Sequence, residues 1–438
     1  MKMRRLKRRV HRSLVISVIL LAMTILSGCS NKTPGMSETV LDPQEVLTKV
    51  LSGDLFTRYP HQAISPGGDY LLAEVGDSML AVSLKEDDTE DLVLHTISGQ
   101  DSSGYVRMVP VGWTSPTTCV FLIAGAQAQG GKYGVAVMQG DVTNPGAEEV
   151  GFIEIESGVY HSFTFIEEES RVYVHVSKAL WECDLKTRSL RLVKSDLPTY
   201  DGLFAVRVSP AGRYAVYQLW EEDKKGIYVM DIATGEERPL LPVGETRSFL
   251  PQWSPDGEYI LAYTAGQKPN AEELEIWERY EVFQGEDSLM PIAGSLTVVT
   301  PEGEVVKTVS VEGKLLAHAR WAQNSETIGF LAGIPRVSDG SGGSYFQPEA
   351  WRSAVQYDSA MLVDVSRDGE PVRVADLKSL PGYEDPSVDL VLVDPSGKGL
   401  YFVASNLVDY SLEDSKLWYA PRDGEPVEIC DGRWQYGG

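Results

Sequence analysis

The residues best suited to chemistry or contact fall in two stretches. Trp277, Tyr280 and Phe283 recur at helical spacing within residues 264–294, and Tyr345, Phe346, Trp351 and Tyr357 crowd residues 332–358. Rings of this kind give a partner a large contact area, or give a sugar a flat platform. Glu272, Glu273 and Glu278 lie in the first stretch, and Asp358 closes the second. Two such carboxyls facing each other across a pocket would serve as acid and base in glycoside cleavage. Other catalytic vocabulary is missing. Neither a Gly-x-Ser-x-Gly elbow nor a phosphate-cradling Gly-x-x-x-x-Gly-Lys occurs. His11, His61, His95, His161, His175 and His318 stand apart from one another. No metal-ligand spacing is present, and no cofactor is expected. Asp256, Asp368 and Asp423 occupy turns, where a carboxylate ordinarily accepts from nearby backbone N–H groups. The acidic run 86–91 is expected to be a solvated hairpin turn.

Charge and the N-terminus narrow the setting. The 438 residues carry 39 Lys and Arg against 63 Asp and Glu, a net charge of −24, which argues against nucleic acid as a partner. With 43% hydrophobic residues the chain is globular in composition. Residues 1–12 hold seven Lys or Arg and no acid, and a short apolar run follows over Leu14–Leu26. That order describes a secretory signal peptide, too short to span a bilayer. Leu26-Ser27-Gly28-Cys29 resembles the lipobox of bacterial lipoproteins, which implies a lipid on Cys29 and membrane attachment through it. Residues 1–28 are then the signal, 29–59 a tether and short helix opening at Asp42-Pro43-Gln44-Glu45, and 60–438 the folded body. Cys119, Cys183 and Cys430 sit in apolar or alternating contexts expected of core residues, with one disulfide pair left open.

The elements that must position these residues repeat. Trp253-Ser254-Pro255-Asp256-Gly257-Glu258-Tyr259-Ile260 is a strand, a turn and a returning strand. Related phrases begin at Ile64, Val208 and Val393, with weaker ones at Trp113, Phe165 and Trp321. A second hairpin follows each, with inner strands at Met79–Leu84, Val135–Met138, Leu180–Leu185, Ile227–Ile232, Leu296–Val299, Met361–Val365 and Leu417–Tyr419. Two hairpins per unit, turn-rich and without helical periodicity, predict an all-β propeller of four-stranded antiparallel blades, seven favoured over six or eight. The last blade is expected to supply its own outer strand, Val427–Cys430.

The phrase Trp253–Tyr263, with Ile227–Ile232 and Thr234-Gly235-Glu236, resembles the WD-like propeller repeat of the TolB family over residues ~60–430. That resemblance implies an envelope protein whose propeller face binds partners. The α/β domain that precedes the ring in TolB has no counterpart here, and a lipobox is foreign to it, so the fold carries over and a Tol-system role does not. Both long stretches are expected between the second and third strands of blades five and six. There they would form one wall on the face of the blade-to-blade links. The sequence thus points to a non-enzymatic, lipid-anchored extracytoplasmic propeller that binds an envelope protein or small ligand, with Trp277, Tyr280, Phe283, Tyr345, Phe346, Trp351 and Tyr357 in contact. An enzyme acting on envelope polysaccharide or peptidoglycan is the alternative; a structural accessory subunit is a third.

Overall fold

The structure, a computed structural model, describes residues 65–66, 70–75, 78–83, 92–96, 107–127, 133–155, 160–197, 206–221, 224–241, 247–265, 292–335, 355–366, 368–383, 386–406 and 416–431. The signal segment, the tether, the short helix and the acidic run lie outside the described residues. Those residues form seven sheets and no α-helix. The chain is an all-β propeller protein, and each sheet is one blade.

Two compact units divide it, Met1–Val208 and Ser209–Gly438. In the first, sheet one has Tyr70–Val75 (β1), Ser78–Ser83 (β2) and Leu92–Thr96 (β3). Sheet two has Arg107–Trp113 (β4), Thr118–Gln127 (β5), Tyr133–Asp141 (β6) and Gly146–Glu154 (β7). Sheet three has Tyr160–Ile166 (β8), Arg171–Val176 (β9), Ala179–Asp184 (β10) and Ser189–Lys194 (β11). The division falls inside sheet four, after its first strand Arg207–Val208 (β12).

The second unit continues that sheet with Tyr214–Glu221 (β13), Lys224–Asp231 (β14) and Glu237–Pro239 (β15). Sheet five follows with Arg247–Trp253 (β16), Ile260–Ala265 (β17), Ser295–Val299 (β19) and Val305–Ser310 (β20), and Ile292–Ala293 (β18) precedes β19 in the chain without joining this sheet. Sheet six has Leu315–Trp321 (β21), Thr327–Pro335 (β22), Val355–Asp364 (β23) and Val372–Asp376 (β24). Sheet seven has Pro386–Val393 (β25), Gly399–Asn406 (β26), Lys416–Pro421 (β27) and Val427–Asp431 (β28). All seven expected inner strands are found. Sheet seven ends on its own outer strand, as expected. Sheet six is larger than expected, because β18 pairs with the edge of β21 and makes a fifth strand.

Middle strands are apolar on both faces. In β5, Cys119, Phe121 and Ile123 pack with Leu72, Met79 and Leu94 of sheet one. The intervening Val120 and Leu122 pack with Val172, Val174 and Cys183 of sheet three. In the second unit, Ile260 and Ala262 meet Val216 and Val229 of sheet four, and Leu331 and Leu362 meet Leu400 and Phe402 of sheet seven. Full burial of one such Phe or Leu contributes roughly 1.5–3 kcal/mol, so no sheet could keep both faces dry alone.

Turns and bulges set the geometry. In Ser254–Gly257 the Ser254 N–H donates to Tyr259 O (2.9 Å), and the Ser254 hydroxyl accepts from Tyr259 N–H (2.9 Å). Asp256 accepts from Glu258 N–H (3.0 Å), the turn role expected of it. Ser209 and Asp394 close their turns by the same backbone pair. Gly212, Gly257 and Gly397 stand at φ +68°, +76° and +75°, while the weaker copies use Ser170 and Ser325 at +54° and +58°. Consecutive turns of the second unit touch: Asp256 N–H donates to the Ser325 hydroxyl (3.0 Å), and Asn324 N–H to Pro395 O (3.1 Å). The first strands β4, β8, β16, β21 and β25 all carry a register shift, as do the outer strands β3, β7, β11, β20, β24 and β28. Such bulges add twist to a strand.

These contacts separate two glycines. A Cβ on Gly397 would lie 2.3 Å from Thr327 Oγ1, whereas one on Gly235, at φ +74°, meets nothing within 4 Å. Gly235→Ala is expected to cost about 1 kcal/mol for the left-handed backbone alone. Gly397→Ala should cost about 3 kcal/mol, because overpacking adds to the same strain. Urea unfolding of the two variants measures the difference.

Candidate functional site

The stems of the two long insertions are described, and they converge on β21. The first insertion leaves β17 and returns to β19, the second and third strands of sheet five. At its base the Thr264 and Thr297 hydroxyls share a hydrogen bond (2.9 Å), and the Ser295 hydroxyl donates to Thr264 O (3.1 Å). Just before it returns, Ile292 and Ala293 pair antiparallel with Ala317 and Leu316 of β21. Only Gly294 separates this crossing from β19. The first insertion is thereby stitched onto sheet six.

The second insertion leaves β22 and returns in β23, again second and third strands. Its stem is tight: a Cβ on Gly333 would lie 2.3 Å from Gln356 O. Register passes from Ala332↔Ser359 to Gly333↔Tyr357, which leaves Asp358 as the extra residue. A bulge re-aims its side chain. The Asp358 carboxylate, 8% exposed as a residue, takes the Lys314 ammonium and accepts from the Ser359 hydroxyl (2.8 Å). Lys314 belongs to the link between sheets five and six, where its N–H donates to Val311 O (3.0 Å). One ion pair therefore ties a blade-to-blade link to the base of an insertion.

Next to it, β21 is bulged over His318 and Ala319. His318 holds φ +53°, a region a non-glycine residue seldom occupies, and its ring meets Tyr357 edge-on at 5.5 Å. The bulged backbone is satisfied from sheet five. Ala319 N–H donates to the Tyr263 hydroxyl (2.6 Å), and Gln252 Nε2 donates to Ala319 O (3.1 Å). Burial pushes the Tyr263 phenol up to about 12, so it stays neutral across the physiological range.

Trp277, Tyr280, Phe283, Tyr345, Phe346 and Trp351 lie outside the described residues, as do Cys29, Glu272, Glu273 and Glu278. Two expectations change. Tyr357 is not on a contact surface: β23 begins at Val355, and the ring is 4% exposed against His318. The second insertion proper is also shorter than 332–358, since pairing continues to Pro335 and resumes at Val355. Asp358 is buried and paired with Lys314 and the Ser359 hydroxyl. Lys314, His318 and β18 escaped the sequence. Lys314 follows an ordinary Glu-Gly turn, and the two residues of β18 are too few to show a period. Among the described residues no group of His, Cys, Asp or Glu is arranged to hold a metal.

Cys119 and Cys183 are buried and unbonded, and desolvation raises their thiols to about 12 and about 11. They are core residues, as expected; the Cys430 and Cys29 side chains lie outside the described residues.

No protein-family model and no curated protein sequence matches the chain. Its fold is similar to those of solved structures at low identity. A structure titled a eukaryotic initiation factor shares 10% identity over 70% of this chain, with a TM-score of 0.42, and the chain spans 62% of that protein's length. A putative TolB from Agrobacterium tumefaciens shares 14% over 65% of this chain and 84% of its own, with a TM-score of 0.36. An oligogalacturonate lyase from Vibrio parahaemolyticus shares 10% over 87% and 86%, with a TM-score of 0.42. Likeness at this level assigns neither a reaction nor a partner.

Two outcomes are expected. Asp358→Asn should cost about 2–3 kcal/mol by leaving the Lys314 ammonium uncompensated. A double-mutant cycle with Lys314→Met, followed by urea unfolding, should show a coupling of about 1–3 kcal/mol. In native protein treated with iodoacetamide at pH 8, peptide mapping should find Cys119 and Cys183 unmodified; both should be alkylated after unfolding.

Proposed function

We propose that the chain is a lipid-anchored, extracytoplasmic propeller that binds an envelope protein or small ligand through the two insertions of sheets five and six. The observation that carries this reading is the convergence of both stems on β21. Separate loops could move independently. Here the first insertion is stitched to sheet six through β18, and the stem of the second is tied to the preceding link through Lys314 and Asp358. Recognition loops gain from a rigid frame, because a preorganised surface gives up less freedom on binding. The insertions bring Trp277, Tyr280, Phe283, Tyr345, Phe346 and Trp351, ring types suited to contact.

Attachment to the membrane is assigned to Cys29. Among the described residues no helix is long and apolar enough to cross a membrane, and an acyl chain contributes about 0.8 kcal/mol per buried CH₂. The acidic balance of the chain disfavours a purely electrostatic hold on an anionic leaflet.

Labelled palmitate should be incorporated by the wild type in a bacterial host and not by Cys29→Ser. Replacing 268–290 and 338–352 with short Gly-Ser linkers should leave the far-ultraviolet circular dichroism spectrum that of a β protein. In membrane cross-linking with mass spectrometry, the same variant should recover specific partners at least tenfold less well. Unchanged partners on a folded variant would reject the insertions as the contact surface.

A further inference from the structure

Sheet three reverses the charge of the molecule. Across its residues 160–194, Arg171, Lys178, Lys186, Arg188, Arg191 and Lys194 outnumber Glu167, Glu168, Glu169, Glu182 and Asp184, and over residues 185–194 four cations meet no acid, in a chain with 39 basic and 63 acidic residues. Most of these cations follow one strand. β11 is terminal in the order β11-β10-β9-β8, so its outer edge has no strand partner among the described residues. Lys186 and Arg188 stand before or at its start and Arg191 at its middle. Lys194 lies at its end, opposite Leu180, and Lys178 in the adjoining turn, whose carbonyl accepts from Leu197 N–H (2.8 Å). Leu192, between the cations, is 47% exposed.

The arginines are partly engaged. Arg188 forms a two-pronged pair with Glu148, and Arg191 reaches Glu182 at 2.5 Å, with Arg171 Nε 3.9 Å from the same carboxylate. Each guanidinium has five N–H donors, so these bonds leave capacity for a further acceptor.

Among the other outer strands β3 carries neither charge nor proline, and the remaining five are guarded differently. β7 carries Glu148, Glu149 and Glu154; β15 has three residues and ends in Pro239. β20 is flanked by Glu302, Glu304 and Glu312, and its Lys307 ammonium is turned onto Asp364 O (2.8 Å). β24 pairs its Arg373 with its own Asp376, and β28 pairs Glu428 with Lys416. An open edge is ordinarily protected by charge or proline. β11 has charge, but all of one sign, which repels cationic strands and admits anionic ones.

We propose that the outer edge of β11 binds an extended acidic peptide segment of a partner protein, which adds a further strand to sheet three. The N–H and C=O groups of this edge would supply the ladder, and the cations along it would select the sequence. The strand is six residues long, so it matches a segment of about 20 Å. A flat anionic bilayer suits this edge less well, since it would also meet exposed Glu148, beside Arg188, and exposed Glu169, beside Arg171. The inference concerns the first unit alone and does not depend on the insertions of sheets five and six.

The test is fluorescence anisotropy on the full chain with a fluorescein-labelled Glu-Val-Glu-Val-Asp-Val-Glu peptide. Its partners are an all-lysine counterpart and two forms N-methylated on one or the other set of alternate amides. The acidic peptide should bind and the lysine peptide should not. One methylated form should bind at least tenfold more weakly while the other matches the parent. Lys186→Glu/Lys194→Glu, both outside the core, should weaken the parent peptide at least tenfold with an unchanged circular dichroism spectrum. Absence of binding overturns the proposal, as does indifference to the double substitution. Equal binding of both methylated forms would leave a charge patch and no added strand. Co-sedimentation of wild type, and not of the double variant, with phosphatidylglycerol vesicles in the absence of peptide binding would instead assign the edge to a membrane.

Discussion

A four-stranded sheet with two apolar faces cannot remain dry unless something covers each face, and this requirement governs the rest of the molecule. In β5 it is visible residue by residue: odd positions belong to one core and even positions to the next. Strands buried on both sides read as continuous apolar runs rather than alternating ones. The core is therefore a succession of shared layers, and each sheet is stabilised by neighbours it does not bond to. A substitution in a middle strand acts on two layers at once.

Close face-to-face packing places a second demand on the backbone. Bulges recur in first and outer strands because a sheet that fills a wedge between neighbours must twist strongly along its length. Every bulge frees an N–H and a C=O that must be satisfied when buried. Side chains from the adjacent sheet supply the partners. Tyr263 and Gln252 serve the bulge of β21 in this way. In the second unit the sheets also interlock at their turns, where Gly257 and Gly397 leave room for Pro210 and for Thr327 and Asn324. Polar satisfaction and apolar burial thus cross the same boundaries.

What the sequence disclosed follows from these demands. Inner strands were legible because shared layers impose long apolar runs, and the turns because Ser-Pro-Asp-Gly has both a hydroxyl to bond the returning strand and a glycine for φ near +75°. Weaker copies were harder to see since Ser170 and Ser325 fill the left-handed position without a glycine to mark it. The insertions stand out as interruptions of the period, but their bounds do not: strand pairing continues through Gly333–Pro335, where Gly and Pro suggest a loop. The neighbours of Tyr357 in sequence suggest a surface ring, but the register turns it onto His318. β18 had no signature, for two residues cannot show alternation. Lys314 and Asp358 meet only because a bulge adds a residue to β23, and no spacing in the sequence encodes that.

The two proposed contact regions differ in how far the scaffold constrains them. The insertions are fixed only at their stems, so their sequences can vary without disturbing any shared layer, and recognition there depends on side chains. The β11 edge belongs to the scaffold itself. Leu190 packs against Gly151 of the preceding sheet, where a Cβ would lie 3.0 Å from its side chain, so β11 has little freedom to shift. What can vary on that strand is the outward-facing set, and it is there that the cations stand. An acidic protein that gathers lysine and arginine along the outer strand of one sheet gives up part of its charge-based solubility at that place. In a strand held this closely, such a pattern has physical consequence chiefly through what it attracts: a chain of opposite charge already extended enough to pair with it.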